Sequence, residues 1–249
     1  MKVALIGYGQ MGQMIDSMAL QAGVEVVARI DPFHPDATHR AADALSLKDA
    51  QVAICFTAPE VALENITQVL KAKKHLVMGT TGWLEHKEQV AQQVSEAGVG
   101  MVYSSNFSIG VNLFFHIVSE AAQMIDPFEM YDVLALEAHH RLKKDSPSGT
   151  ALTLGDMLLE KLSRKKRLAT ERLDRRPEED ELHFASVRGG SIPGTHSVVF
   201  DSEFDSIELT HRARNRGGFA SGALVAAKWI AGQKGFYTEK EMMAQLLGR

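Results

Sequence analysis

The chain has 249 residues, 45% of them hydrophobic and 23% charged, which suits one large or two modest globular domains. A net charge of -4 gives no global attraction to nucleic acid or anionic membrane, and the single cysteine, Cys55, excludes an intrachain disulfide and a cysteine metal cluster. No apolar run is long enough to span a bilayer, and Met1-Lys2-Val3 leads straight into a strand, so a cytoplasmic protein with no membrane or nucleic-acid partner is expected.

Val3 to Ile6 is a short apolar run followed at once by glycines, which predicts a buried strand. A helix is expected from about Met11 to Ala22, ended by Gly23, and a second strand from Val24 to Ile30. Gln51 to Phe56 is the third strand, with Cys55 a small core residue inside it. Thr57-Ala58-Pro59 turns into a helix through Leu70. His75 to Met78 is a strand that stops at Gly79-Thr80-Thr81-Gly82; a polar helix from about Glu85 to Ala97 and a strand from Val99 to Tyr103 follow. This alternation predicts an α/β fold with a doubly wound parallel sheet.

The pattern then changes. Ile109 to Ile125 reads as one long helix, Tyr131 to Ala138 as a strand, and Thr150 to Leu162 as another helix. Leu182 to Val187, His196 to Phe200 and Ser206 to His211 look like strands of a second, mixed α+β sheet domain. Phe219 to Ala231 closes the chain with a helix rich in small residues. The expected division is 1-107 with 218-249, and 108-217.

Gly7-Tyr8-Gly9-Gln10-Met11-Gly12 places G-x-G-x-x-G between a strand and a helix. The first glycine permits the turn, the second lets a pyrophosphate approach the backbone, and the third allows close helix packing. Free amides at the helix start favour an anion. Asp31 ends the next strand, where a carboxylate grips the ribose 2'-OH of a dinucleotide. A carboxylate there repels a 2'-phosphate, and neighbouring Pro32 and Phe33 offer no cation, so NADH is expected over NADPH. A glycine turn with no ligand is the plainer reading; strand, helix and Asp31 together weigh against it.

Glu137 to Thr150 crowds two histidines, an arginine and two lysines ahead of Ser-Pro-Ser-Gly-Thr. Lys143 and His140 supply charge or donors, while Ser148, Gly149 and Thr150 supply hydroxyl and amide donors at a helix start, a set suited to a small dicarboxylate. His139 is suited to proton transfer. The plainer reading, a solvated capped loop, explains the lysines but not paired histidines directly after an apolar strand. No metal site is expected, because adjacent histidines on a strand face opposite ways and no carboxylate is spaced to join them.

These residues resemble the 4-hydroxy-tetrahydrodipicolinate (dihydrodipicolinate) reductase family. The resemblance covers essentially the whole chain and is most specific at Glu137-Ala138-His139-His140, Lys143 and Asp145 to Thr150. Gly79 to Gly82, Ser105 to Asn112, Arg188-Gly189-Gly190 with Gly194 and His196, and Phe219 to Ala223 support it. It implies a Rossmann-type domain that the chain leaves and re-enters, a mixed-sheet domain that builds a homotetramer, and reduction of a cyclic dicarboxylate by NADH or NADPH in lysine and diaminopimelate biosynthesis. It also implies His139 as proton donor, Lys143 as second catalytic residue, and His140, Gly149 and Thr150 as substrate contacts. Gly79, Thr80 and Thr81 would lie beside the nicotinamide, and Ser104, Ser105, Asn106 and Phe107 around the cofactor. The chain departs from the family pattern in its shorter glycine loop, in Asp31-Pro32 where many members have Glu-Arg, and at Thr195 and Asn215.

Two other readings stand beside this one. Another two-domain oxidoreductase acting on an amino acid or sugar would lack the His-His-x-x-Lys cluster beside Ser-Gly-Thr. A non-catalytic NAD sensor would bind cofactor without turnover and has no need of both a proton donor and an anion site. The basic stretches Lys161 to Arg176 and Arg212 to Gly218 could suggest RNA binding. The first runs into Glu178 to Glu181 without interleaved aromatics, so a solvated surface is expected, and the second is read as a loop at the domain junction.

Overall fold

The computed structural model describes residues 1–248; Arg249, the last residue of the expected 218-249 segment, lies outside the described residues. The chain forms two compact units, Met1–Ile109 with the chain from Arg216 onward, and Gly110–Asn215.

In the first unit, β1 (Lys2–Ile6), β2 (Glu25–Ile30), β3 (Val52–Cys55), β4 (His75–Met78) and β5 (Gly100–Tyr103) alternate with α1 (Gln10–Ala19), α2 (Ala62–Lys71) and α3 (Lys87–Ala97). The second unit is built from α4 (Ile109–Ile125), β6 (Asp132–His139), α5 (Gly149–Lys161), β7 (Arg167–Ala169), β8 (Glu181–Arg188), β9 (Thr195–Asp201) and β10 (Ser206–Arg212). α6 (Gly217–Ile230), β11 (Gly235–Thr238) and α7 (Glu239–Leu246) return to the first unit.

The first sheet has the order β11-β5-β4-β3-β1-β2, with every pairing parallel. A parallel sheet covered on both faces has apolar central strands, and all four residues of β3 and Val3 to Ile6 of β1 are buried. The small residues of α6 let it lie close on its neighbours, among them α1 and the sheet. A side chain at Gly222 would overlap the carbonyl oxygen of Phe107.

The second sheet has the order β10-β9-β6-β8-β7 and is mixed: β6 pairs antiparallel with β9 and parallel with β8. Val133, Ala135, Phe184, Val198 and Phe200 form its inner face and share a core with Phe114 and Val118 of α4 and Leu154 and Leu158 of α5. The α/β parallel sheet and the second mixed sheet agree with the expected fold class.

Three elements were not expected from the sequence. β11 and α7 follow the helix that was read as the last element. β11 is four half-buried residues beginning with glycine, too short to show a period. α7 carries a capping box, Thr238 with Glu241, which is a readable start signal. β7 lies in the charged stretch read as a solvated surface, and that reading is corrected. Lys165 is buried, with its ammonium 2.6 Å from Asp132 Oδ1 and donating to the carbonyls of Glu179 and Glu181. The buried Glu181 carboxylate takes two hydrogen bonds from Arg175, at 2.7 and 2.8 Å. Alternating charges in sequence concealed pairs that close a loop.

Candidate active site

In the first unit the glycine loop joins β1 to α1. The backbone at Gly9 is open: a Cβ there would meet nothing within 4 Å. Gly12 is buried, and a Cβ there would overlap the Gly7 carbonyl. A cavity of about 490 Å³ adjoins the loop, lined by Gly7, Gly9, Asp31, Pro32, Phe33 and Arg40 among others. Open backbone at a helix start, beside a cavity with a carboxylate at its edge, fits a dinucleotide.

Asp31 also builds the loop that carries it. Its Oδ2 accepts from the Tyr8 amide and its Oδ1 from the amides of Phe33 and His34, each at 2.9 Å. Burial pushes the Asp31 carboxyl up, but these amides outweigh it and hold it below its ordinary value. Pro32 and Phe33 bring no cation to Asp31, but a residue farther along the chain does. Arg40 lines the same cavity and donates to the backbone carbonyls of Asp31 and His34. Eight intervening residues kept it from view in the sequence. Arg29 faces away, paired with Asp16 at 2.6 Å.

The remaining first-unit candidates lie at strand ends. The Tyr8 phenol donates to Asp16, so this side chain is committed to packing between α1 and β2. The Gln10 side chain accepts from Arg216, and Met11 is half-buried beside it in α1. Gly79 packs against the Phe56 ring, and Thr80 is buried with its hydroxyl accepting from the Thr57 amide at 2.8 Å. Thr81 is exposed. Ser104 is buried and accepts from the Asn106 amide, Ser105 is exposed, and Phe107 is buried edge-on to Phe56.

In the second unit, strand alternation on β6 buries Glu137 and His139 on one face. Pairing brings His196 of β9 opposite Glu137, and Arg188 of β8 opposite His139. Glu137 Oε1 accepts from the Ser148 amide (2.9 Å), the Ser186 hydroxyl (2.9 Å) and Arg188 (2.8 Å). Its Oε2 lies 3.0 Å from His139 Nδ1 and 3.6 Å from His196 Nε2. Burial alone would raise the Glu137 carboxyl, yet the neighbouring His196, Ser148 and Arg188 hold it well below the usual carboxylate range. For His139, burial dominates and lowers the imidazole to about 4. Glu137 opposes that shift, while His196, Lys143 and Arg188 add to it.

Beyond β6, Lys143 Nζ holds both oxygens of Asp145, at 2.8 and 2.9 Å. His140 donates its amide to the Ile192 carbonyl, and its Nδ1 is buried without a partner. Ser148 is buried as the N-cap of α5, its hydroxyl accepting from the Ala151 amide and lying 3.3 Å from His196 Nε2. Its donors therefore serve the protein. Gly149, exposed with open space around it, and half-buried Thr150 start the helix and present its first amides.

The sequence shows no carboxylate spaced to join His139 and His140 in a metal site. That reading is corrected, since donor atoms of Glu137, His139 and His196 lie within 4.8 Å of one another. Arg188 stands 2.8 Å from the other oxygen of the same carboxylate, however, so a cation held there would lie beside a guanidinium that repels it.

Glu137, His196, Arg188 and Asp145, which the sequence offered as motif residues without a role, are thus the further side chains that the fold joins to the candidates. Glu137 was legible, two positions before His139 on a strand. His196 and Arg188 arrive only through strand register.

Comparison with known proteins identifies the family. Models of the dihydrodipicolinate reductase N-terminus and C-terminus match residues 1–107 and 110–243. A 4-hydroxy-tetrahydrodipicolinate reductase of Christiangramia forsetii is 37% identical over 246 residues, covering 99% of each chain. The enzyme of the same name from Archaeoglobus fulgidus is 39% identical over 261 residues, covering 98% of this chain and all of the other. Among solved structures, dipicolinate-bound dihydrodipicolinate reductase from Paenisporosarcina sp. TG-14 superposes with a TM-score of 0.80 at 24% identity. It covers 97% of this chain and 98% of that one, a likeness of fold. Two family models that together cover nearly the whole chain, and relatives well above 30% identity along its length, establish that the chain belongs to the dihydrodipicolinate reductase family.

Proposed function

We propose that the protein is a nicotinamide-dependent oxidoreductase that reduces 4-hydroxy-tetrahydrodipicolinate (dihydrodipicolinate) to tetrahydrodipicolinate in lysine and diaminopimelate biosynthesis. The observation that carries this reading is the buried Glu137–His139–His196 cluster beside Lys143 and the open start of α5, in a chain of this family.

The first unit binds the dinucleotide through Gly7 to Gly12 and Asp31, with Gly79 to Thr81 and Ser104 to Phe107 as further cofactor contacts. The reduced nicotinamide, when bound, supplies the hydride. In the second unit Lys143, His140 and the amides of Gly149 and Thr150 hold the two substrate carboxylates. Lys143 exchanges Asp145 for a substrate carboxylate. Ser148 acts as the cap that presents those amides. His139 supplies the proton at Nε2.

A histidine held near 4 is neutral at neutral pH, so donating a proton requires a change in its surroundings. A bound dianion supplies that change, because nearby negative charge favours the imidazolium form.

NADH is the preferred cofactor, supported by the Asp31 carboxylate. Arg40 accounts for whatever NADPH is used. The kcat/KM ratio of NADH to NADPH should exceed one and rise further in Arg40→Ala; a preference for NADPH would reverse this assignment.

The homotetramer is supported by the outer face of the second sheet, where Leu134 and Val187 are exposed beside half-buried Leu136 and Val199. Light scattering should give four chains per particle, and a monomer would contradict this. A cytoplasmic location is consistent with the single buried cysteine and with described helices none of which is long and apolar enough to cross a membrane. Cell fractionation tests it.

Product identification tests the reaction. With dihydrodipicolinate synthase generating the substrate, tetrahydrodipicolinate should accumulate in step with cofactor oxidation. Cofactor oxidation without that product would point to a different dehydrogenase.

A further inference from the structure

The two oxygens of Glu137 have separate duties. Oε1 takes three hydrogen bonds, from Ser148, Ser186 and Arg188, and these alone fix the side chain. Oε2 makes no aligned hydrogen bond, and neither does His139 Nδ1, although both atoms are buried and only 3.0 Å apart. Buried polar atoms are rarely left unpaired, and here each supplies what the other lacks. The opposite ring nitrogen, Nε2, faces Gly194, where a Cβ would stand only 3.0 Å away.

We infer that Glu137 is the positioning residue for His139: its Oε2 takes the Nδ1 hydrogen, fixes tautomer and ring orientation, and leaves Nε2 to exchange the proton with substrate. This rests on the reading of His139 as proton donor. A carboxylate that orients a catalytic imidazole and stabilises its cation is a known device in hydrolases. The charged and titratable groups facing His139 are Glu137 on its own strand, Arg188 on β8, His196 on β9 and Lys143 in the following loop. Of these, Glu137 is the group whose charge favours the imidazolium. A merely structural role would need Oε1 alone.

The test is Glu137→Gln in the full-length enzyme. The carboxamide keeps the shape but presents either no charge or a donor to Nδ1, which drives the proton onto Nε2. The expected result is a kcat at least ~10-fold lower, with the alkaline limb of the kcat profile moved to lower pH and KM for NADH unchanged. Glu137→Asp, which keeps the charge one methylene short, should fall between the two.

Nitrogen-15 NMR of the wild-type enzyme at pH 7.5, assigned with a His139→Asn spectrum, gives a readout independent of turnover and of whether Glu137→Gln folds. It should show His139 protonated at Nδ1 and bare at Nε2. The opposite tautomer, or a Glu137→Gln enzyme with wild-type kcat and an unmoved pH limb, overturns the positioning role while the wild type still turns over. A wild type without turnover overturns instead the reading beneath it.

Discussion

Gly194 holds a φ of +151°, and a Cβ built on it would stand 3.0 Å from Nε2 of His139. Backbone strain and access to the nitrogen proposed to exchange the proton therefore meet at one position. Gly194→Ala should cost about 1–3 kcal/mol of stability for the backbone conformation. It should also lower kcat at least ~10-fold while leaving the dissociation constant for NADH unchanged. Thermal unfolding and steady-state kinetics on the same variant check both; full activity would show that Nε2 does not need that space.

The glycine loop separates binding from folding. A side chain at Gly9 meets open space, whereas one at Gly12 overlaps the Gly7 carbonyl. Gly9→Ala should keep its melting temperature and raise KM for NADH, because the methyl stands where a pyrophosphate approaches. Gly12→Ala should be destabilised by at least about 1–3 kcal/mol, as overpacking is. Calorimetry beside cofactor titration distinguishes the two, and equal losses of stability would contradict the division.

Stability should begin to fall as pH drops below about 6.5, where buried histidines resist protonation. Burial lowers His139 to about 4 and lowers His75 and His211 below their ordinary value of 6.5. In the unfolded chain these rings take protons near 6.5, and in the folded chain they resist. The unfolded state therefore binds more protons through this interval, and stability drops as pH falls from about 6.5 towards 4. Denaturant midpoints between pH 7 and 4.5 should show the decline, with a shallower slope in His139→Asn. A flat profile would mean that these histidines are not held neutral.

Binding of the dicarboxylate should protonate His139. Calorimetric titration with dipicolinate at pH 6, in buffers of different ionisation enthalpy, should show net proton uptake that disappears in His139→Asn. Binding without uptake would mean that the anion does not reach this histidine.

Much of the fold was legible because its signals are local. The β1 apolar run, the glycine loop and Asp31 follow one another within 31 residues, and the long α4 has the expected bounds of Ile109 and Ile125. β7 and β11 escaped, being three and four residues long and without a period to read. The site was legible to the same degree. His139, Lys143 and the start of α5 share one stretch of chain, so their types and spacing carried the chemistry. His196 and Arg188 reach Glu137 through cross-strand register, which depends on which strands pair and is not written in either strand alone. Lys143 was readable as a cation, but its Asp145 partner was hidden by the assumption that nearby charges are solvated.

This chain is proposed to reduce the dicarboxylate with His139 and Lys143 as its working groups. The most direct measurement is a coupled assay in which dihydrodipicolinate synthase generates the unstable substrate and NADH loss is followed at neutral pH. Wild type, His139→Ala and Lys143→Ala would be compared. Robust wild-type turnover is expected, with a kcat loss of about 10²–10⁴-fold in His139→Ala, the range for a lost proton-transfer group, and a large loss of kcat/KM in Lys143→Ala. No wild-type turnover with NADH or NADPH despite tight cofactor binding, or variants as fast as wild type, would contradict the proposal.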